Sequence, residues 1–174
     1  MIKTKLKIRT LGDPCLRKKA APVKKIGVAE RLLIESMLYT ISEKETDIGL
    51  AATQVGIGKQ IFVVALPDFP HVFVDPKVVK TEGPEEVMEE GCLSLPGLIF
   101  KVSRPQKIGI DYTNENNEKC HLECEDFHAR VILHENDHLN GKMIIDHADQ
   151  SEIEKQKDAI AKLEIDTKKA LKRK

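Results

Sequence analysis

His134-Glu135-Asn136-Asp137-His138, directly preceded by Val131-Ile132-Leu133, is the stretch around which the rest of the chain can be read. Two imidazoles stand four positions apart with a carboxylate between them. On an α-helix each residue turns about 100°, so His134 and His138 lie only about 40° apart in projection. Both rings then leave one face, one turn apart, and can grip a single metal ion. Glu135 sits on the same flank, within reach of a water on that ion, so one short segment supplies two ligands and a general base. The alternative is an exposed polar helix with two unrelated histidines. It fits poorly with the apolar run upstream, which predicts that this helix is buried.

Outward from that stretch, Phe127 to Leu139 reads as a helix closed by Asn140-Gly141, a C-cap pattern. Val28 to Ile41 carries Val28, Leu32, Met37, Leu38 and Ile41 with charges between them, an amphipathic helix. Ile61 to Leu66 is an apolar run stopped by Pro67 and predicts a buried strand. Val72-Phe73-Val74, Ile99 to Val102, Lys107 to Tyr112 and Lys119 to Cys124 add short strands, with a turn at Asn114 to Asn117. Ser151 and Glu154 have capping-box spacing and predict the start of a last helix. The expected class is α+β: short antiparallel or mixed strands around a central H-E-x-x-H helix, with an N-terminal amphipathic helix and a C-terminal helix. Neither a repeat nor a linker is visible. Residues 1–150 are expected to form one domain, with 151–174 as a charged C-terminal helix or tail of that same domain.

Composition narrows the classes. The 174 residues carry 28 Lys+Arg against 28 Asp+Glu, so no global field favours nucleic acid or a membrane surface. Trp is absent and aromatics are scarce, which argues against a base-stacking platform. No apolar run approaches the roughly 20 residues of a membrane span. Met1 to Arg9 alternates Lys with Ile, Leu and Thr and has no hydrophobic region of a secretory signal. A cytoplasmic or organelle-matrix location is expected. Cys120 and Cys124 lie four apart in a strand segment, about 13 Å from each other, too far to share a metal or a disulfide. Cys15 falls in a predicted turn, Gly12-Asp13-Pro14-Cys15.

A catalytic metal site commonly has three protein ligands and one open position. Downstream of the histidine pair the options for the third are Asp146, His147 and Asp149. Upstream the option is Cys92 in Glu90-Gly91-Cys92-Leu93-Ser94, where Gly91 permits close backbone approach and a thiolate suits soft or borderline ions.

Three segments then agree in order and spacing: Gly49-Leu50-Ala51-Ala52-Thr53-Gln54, Glu90-Gly91-Cys92-Leu93-Ser94, and His134 to His138 followed by Leu139 and Gly141. Together with Gly12-Asp13-Pro14 and Leu16-Arg17, they make the chain resemble the peptide deformylases over residues 5 to 148. The resemblance implies hydrolysis of the N-formyl group from the initiator methionine of new polypeptides. It implies one divalent metal on Cys92, His134 and His138, most often ferrous iron, with zinc or nickel able to use the same ligands. Glu135 would then move the proton, while the Gln54 amide and the Leu93 backbone N–H would stabilise charge on the formyl oxygen.

Phe127 and Val131 lie seven residues before His134 and His138, on the same stripe of the helix. With Ile48 and Met88 they are candidates to line a methionine pocket, the alternative being plain core packing. Gly49 and Gly91 would let the substrate backbone pair beside the site. Glu90 and Asp137 are candidates to orient ligand imidazoles, although Asp137 could equally pair with Arg104 or Arg130. Two positions depart from the family pattern. Asp47 stands where the first motif usually begins with glycine, adding a charge beside the expected groove. Leu133 stands where glutamine is common and is expected to change packing only. Five of the last seven residues are Lys or Arg. They form either a solvated helix end or a basic contact for ribosomal RNA. The expected partners are nascent formyl-methionyl chains and, through this basic end, the ribosome; no membrane contact is expected, and a monomer is.

Overall fold

In the computed structural model, residues 4–44 and 46–173 are described. After a 3-10 turn at Pro14–Arg17, helix α1 spans Val28–Ile41. Strands β1 (Gly49–Ala51), β2 (Ile61–Val64), β3 (Val72–Gly91), β4 (Ile99–Thr113) and β5 (Lys119–Glu125) follow, with a 3-10 turn at Ala52–Val55. Helix α2 is Asp126–Leu139. Beyond the 3-10 turn at Ile144–Asp146 come α3 (Gln150–Lys155) and α4 (Lys157–Lys172). The five strands form one sheet in the order β1-β2-β3-β4-β5, each neighbouring pair antiparallel. The fold is α+β, and the sheet contains none of the parallel pairing that "mixed" allowed.

β2 explains why an uninterrupted apolar run can be a strand. Side chains alternate between faces, so a strand covered on both sides needs apolar residues throughout. Ile61 and Val63 pack with Ile34, Met37 and Ile41 of α1. Phe62 and Val64 face the opposite way, into a core shared with Ala129, Val131 and Ile132 of α2. Phe62 stacks on Phe73 at 4.7 Å between ring centroids, and Tyr112 closes on Phe73 at 4.5 Å. A third cluster, including Leu11, Leu16, Leu95, Phe100 and Ile144, is covered by Ile160 and Leu163 of α4.

Several expectations need correction. Val28 and Leu32, read as part of the buried stripe of α1, are 70% and 36% exposed. The buried stripe is Ile34, Met37, Thr40 and Ile41, because the sheet covers only the C-terminal part of that helix. The segments at 99–102 and 107–112 are one continuous strand. Val72 to Val74 is only the root of a 20-residue strand that pairs with β4 from Val74↔Thr113 to Gly91↔Ile99. Register shifts between Val74 and Lys77, Val78 and Lys80, and Glu82 and Glu85 interrupt the ladder. Such bulges bend a hairpin and sharpen its twist. Ser151 does not open the last helices: α3 follows Asp149 as N-cap, and α4 begins after a break at Gln156. Asn140 and Gly141 do end α2, Gly141 at φ +74°, where an added Cβ would lie 2.6 Å from the Arg17 carbonyl oxygen. Asn114 to Asn117 is a turn, with the Asn114 side chain accepting from the backbone N–H of Asn116 and Glu118.

Residues 4–21 have little regular structure, yet they tie the molecule together. Arg9 N–H donates to the Gln54 carbonyl at 2.7 Å, Leu11 N–H to Ser94 at 2.9 Å, and Ala20 N–H to Leu139 at 2.8 Å. Each of these carbonyls belongs to or directly follows one of the three motif segments. Gly12, at φ +100°, lets this strap lie against α4, where a Cβ would meet the Glu164 carbonyl at 3.0 Å. Thr10 and Thr167 join their hydroxyls at 2.6 Å.

Candidate metal centre

Three segments distant in sequence converge in one cleft of about 400 Å³. β1 and the 3-10 turn after it bring Gly49 and Gln54, the end of β3 brings Met88 to Cys92, and α2 brings Phe127, Val131, His134 and Glu135. Cys92 Sγ lies 3.2 Å from His138 Nε2, and Cys92, His134 and His138 each place one ligand atom within 4.8 Å of the other two. Among the described residues this is the only such group of three. The His134 and His138 rings are 5.1 Å apart, as their helical spacing requires.

The downstream candidates lie elsewhere. Asp146 pairs with Arg17 and accepts from the Met143 N–H, and His147 Nε2 meets Asp137 Oδ2 at 2.9 Å. Asp149 caps α3.

The surroundings suit a cation. Burial alone would raise the Cys92 thiol, but the His138 and His134 imidazoles outweigh it and hold the group well below its ordinary value. Thiolate is the form in which cysteine binds metal. His134 would be lowered by burial, yet Cys92 and Glu90 raise it to about 10. Its Nδ1 meets Glu90 Oε2 at 2.9 Å, leaving Nε2 for the cleft. Glu90 is itself gripped by Arg104 through Nε at 2.6 Å and Nη2 at 2.9 Å, and by Arg130 Nη1 at 2.8 Å. Burial would raise Glu90, but His134 and Arg104 hold it far below the usual carboxylate range. Such a carboxylate–imidazole contact fixes the orientation and basicity of a ligand.

Asp137 is a correction. It orients neither ligand imidazole and instead bonds Arg104 Nη1 at 2.9 Å and His147. One residue along a helix turns the side chain by about 100° away from its neighbour, here toward β4 rather than toward the ligand set. The choice between Arg104 and Arg130 is thus resolved: Arg104 bridges Asp137 and Glu90, while Arg130 serves Glu90 and the Val102 and Glu86 carbonyls. No sequence periodicity singled out these two arginines. Their signal was only that they are cations at otherwise apolar positions, both of which prove buried.

Removing the Glu90 charge should therefore be felt at the ligands. Glu90→Gln is expected to lower metal affinity by roughly 10–100-fold, the range for groups that support a ligand. Chelator competition measures this, and unchanged affinity would mean that Glu90 serves the fold alone.

Glu135 is buried, and its Oε2 has no hydrogen-bond partner. Burial pushes its carboxyl up to about 7 despite the two imidazoles nearby. Gly49 explains how it fits: a Cβ there would lie 2.3 Å from Glu135 Oε1 and 2.8 Å from Cδ. Gln54 is held by both ends. Its Oε1 accepts from the Ala51 N–H at 2.8 Å, and its Nε2 points to Ser94 Oγ at 3.2 Å and Cys92 Sγ at 3.5 Å. Ile48, Met88, Gly91 and Leu93 also line the cleft. Phe127 and Met88 are 43% and 41% exposed, so they form its mouth rather than plain core; Val131 does both, being buried in the core of the sheet. Leu133 packs against the sheet-facing cluster.

The family model described as polypeptide deformylase matches residues 5–154. The chain belongs to the peptide deformylase family. Over 139 residues it is 47% identical to a peptide deformylase of Clostridium botulinum, covering 80% of this chain and 93% of the relative. A crystal structure of the Thermotoga maritima peptide deformylase superposes with a TM-score of 0.80 at 39% identity, covering 84% of this chain and 99% of that one. The Synechococcus elongatus enzyme, solved in complex with actinonin, gives 0.83 at 38% identity over 94% and 91%. Membership makes this a hydrolase family fold with a cleft equipped for a metal. The Cys92, His134 and His138 donor set, one thiolate and two imidazoles, fits such an ion.

The Gly49 contact leads to a direct expectation. Gly49→Ala should leave metal content intact while displacing the Glu135 carboxylate, and turnover should fall roughly 10–100-fold, as for an ångström-scale misplacement of a reacting group. Full activity of the alanine variant would mean that Glu135 yields without consequence.

Proposed function

We propose that this protein hydrolyses the N-formyl group from the N-terminal methionine of newly made polypeptides. The observation that carries the reading is the grouping of Cys92, His134 and His138 at a cleft that is also lined by Glu135, a buried carboxylate with one unpartnered oxygen. In this reading Cys92, His134 and His138 hold one divalent ion. Such an ion supplies Lewis acidity and brings the ionisation of water toward neutral pH.

The remaining steps fall to the chain. Glu135 takes a proton from the attacking water and delivers it to the leaving amine nitrogen as the formyl C–N bond breaks, releasing formate and a free N-terminus. The Gln54 Nε2 and the Leu93 N–H donate to the formyl oxygen as it gains negative charge. Gln54 is suited to this because its Oε1 accepts from the Ala51 N–H, which turns its amide Nε2 toward Ser94 and Cys92. Ile48, Val131, Met88 and Phe127 form the apolar receptor for the methionine side chain, and Gly49 and Gly91 leave room for the peptide backbone.

The competing reading, an endopeptidase that shares the H-E-x-x-H helix, needs a downstream third ligand. Asp146 and His147 are engaged with Arg17 and Asp137, which favours the deformylase reading. Incubation with formyl-Met-Ala and with an unblocked longer peptide separates them: formate release from the first and no cleavage of the second is the expected pair. Internal cleavage of the second would favour the peptidase.

We assign the ion as ferrous iron, with zinc or nickel compatible with the same donors. A thiolate beside ferrous iron is open to oxidation, so metal analysis belongs on anaerobically purified protein. No helix among the described residues is long and apolar enough to cross a membrane. We place the protein, as a monomer of one catalytic unit including its C-terminal helices, in a bacterial cytosol or organelle matrix. Its basic end is proposed to touch the ribosome. Deleting residues 168–174 should leave hydrolysis of a short formyl peptide near normal while ribosome co-sedimentation falls, and binding by the intact chain should weaken with salt. Equal co-sedimentation of the two forms would make the tail a solvated helix end.

A further inference from the structure

We infer that the N-terminal strap is a positioning element for Gln54, with the hydroxyl contact between Thr10 and Thr167 as its latch. The inference rests on the deformylase reading, in which the Gln54 amide donates to the formyl oxygen, and adds to it the residues that aim that amide.

Gln54 does not stand on a rigid element. It belongs to the four-residue 3-10 turn Ala52–Val55. Ser94, whose Oγ accepts from the Gln54 amide at 3.2 Å, lies in the irregular segment between β3 and β4. Groups carried on turns keep a productive geometry only where neighbouring contacts lock them. One short piece of chain supplies such contacts to both residues. Arg9 N–H donates to the Gln54 carbonyl at 2.7 Å, and Leu11 N–H to the Ser94 carbonyl at 2.9 Å. In an extended chain the pattern repeats every two residues, so these two N–H groups leave the same side. Arg9-Thr10-Leu11 thus bridges two turns that are 40 residues apart in sequence, and fixes the separation across which Gln54 reaches Ser94.

The bridge is fastened at its middle residue. Thr10 Oγ1 meets Thr167 Oγ1 at 2.6 Å, and among the described residues Thr167 is the one of α4 that is buried. Gly12 seats the strap against the Glu164 carbonyl, about one turn earlier on the same helix. Leu11 packs into the cluster that Ile160 and Leu163 of α4 cover. Among the described residues none of α4 lines the cleft, so the hydroxyl contact bears on Gln54 through the strap. Removing one partner of a buried hydroxyl pair leaves the other unsatisfied. A strap that shifts to relieve it carries the Gln54 and Ser94 carbonyls along.

The test uses Thr10→Val, which keeps the shape of the side chain and removes its hydroxyl. With formyl-Met-Ala on the metal-loaded protein, kcat should fall about tenfold, less than the roughly 10²–10³-fold of losing a charge-stabilising donor outright. KM and metal content should stay unchanged, since the affected interaction belongs to the transition state. Thr10→Ser keeps the hydroxyl and should keep the rate. In a Gln54→Ala background Thr10→Val should have almost no further effect, because residues that act as a unit are not additive. Apart from turnover, amide hydrogen exchange at Arg9 and Leu11 should quicken in Thr10→Val. Thr167→Val removes the same contact from the side of α4 and should reproduce each result, so the outcome does not hang on the folding of one variant. Normal kcat in the valine variants, or an equal fold loss with and without Gln54, would overturn this inference and leave deformylation standing. Absence of formate release by the unsubstituted protein would overturn both.

Discussion

Glu135→Gln should yield a folded, metal-loaded protein whose turnover of formyl-Met peptides is lower by roughly 10²–10⁴-fold, the usual cost of losing a general acid/base. Glutamine keeps the size of the side chain, so Gly49 still accommodates it, but it cannot accept a proton as a carboxylate does. Metal content should be preserved, because Cys92, His134 and His138 are untouched. The structure adds a reason to expect a large effect. Glu135 is buried, one of its oxygens has no hydrogen-bond partner, and burial pushes its carboxyl up. The loss should appear in kcat more than in KM, since the missing interaction belongs to the transition state. A fully metallated variant working at the normal rate would refute this role.

Cys92→Ala is expected to abolish deformylation by a different route, through loss of the metal. Two imidazoles alone hold a divalent ion poorly, and the thiolate is the one anionic member of the set. Metal-to-protein ratio after gel filtration should collapse, with the far-ultraviolet circular dichroism unchanged. Asp149→Ala should retain both metal and activity. Asp146→Ala should also retain metal, although it removes the Arg17 ion pair and the acceptor for the Met143 N–H. A Cys92→Ala protein with full metal content would return the third ligand to the segment after α2.

Much of this site was legible because its chemistry is concentrated in short motifs. His134, Glu135 and His138 are related by helical geometry alone, and the apolar run before them fixes which face is buried. Cys92 was one of several candidates until the resemblance carried by the three motifs pointed to it, and the fold brings it beside the histidines through a hairpin that no local signal announced. Residues 75–91 are rich in Lys and Glu and exposed over most of their length, so they lack the alternation by which strands are found. β1 has three residues, too few for any period. The Asp137 partner was open because Arg104 and Arg130 become distinguishable only when β4 is laid beside α2. Asp47, seen in the sequence only as a departure from the motif, is found among the residues that line the cleft.

The N-terminal strap has a consequence for biogenesis. Its acceptors at Gln54, Ser94 and Leu139 span the chain, and the glycine at position 12 seats it on a helix that begins at Lys157. Contacts of such sequence separation form late, after long loops have closed. During synthesis the strap residues leave the ribosome well before the segments they bind, and so find their place late. They must wait, undocked, until nearly the whole polypeptide has emerged. An enzyme of nascent chains would itself spend most of its own synthesis inactive, with its cleft unassembled.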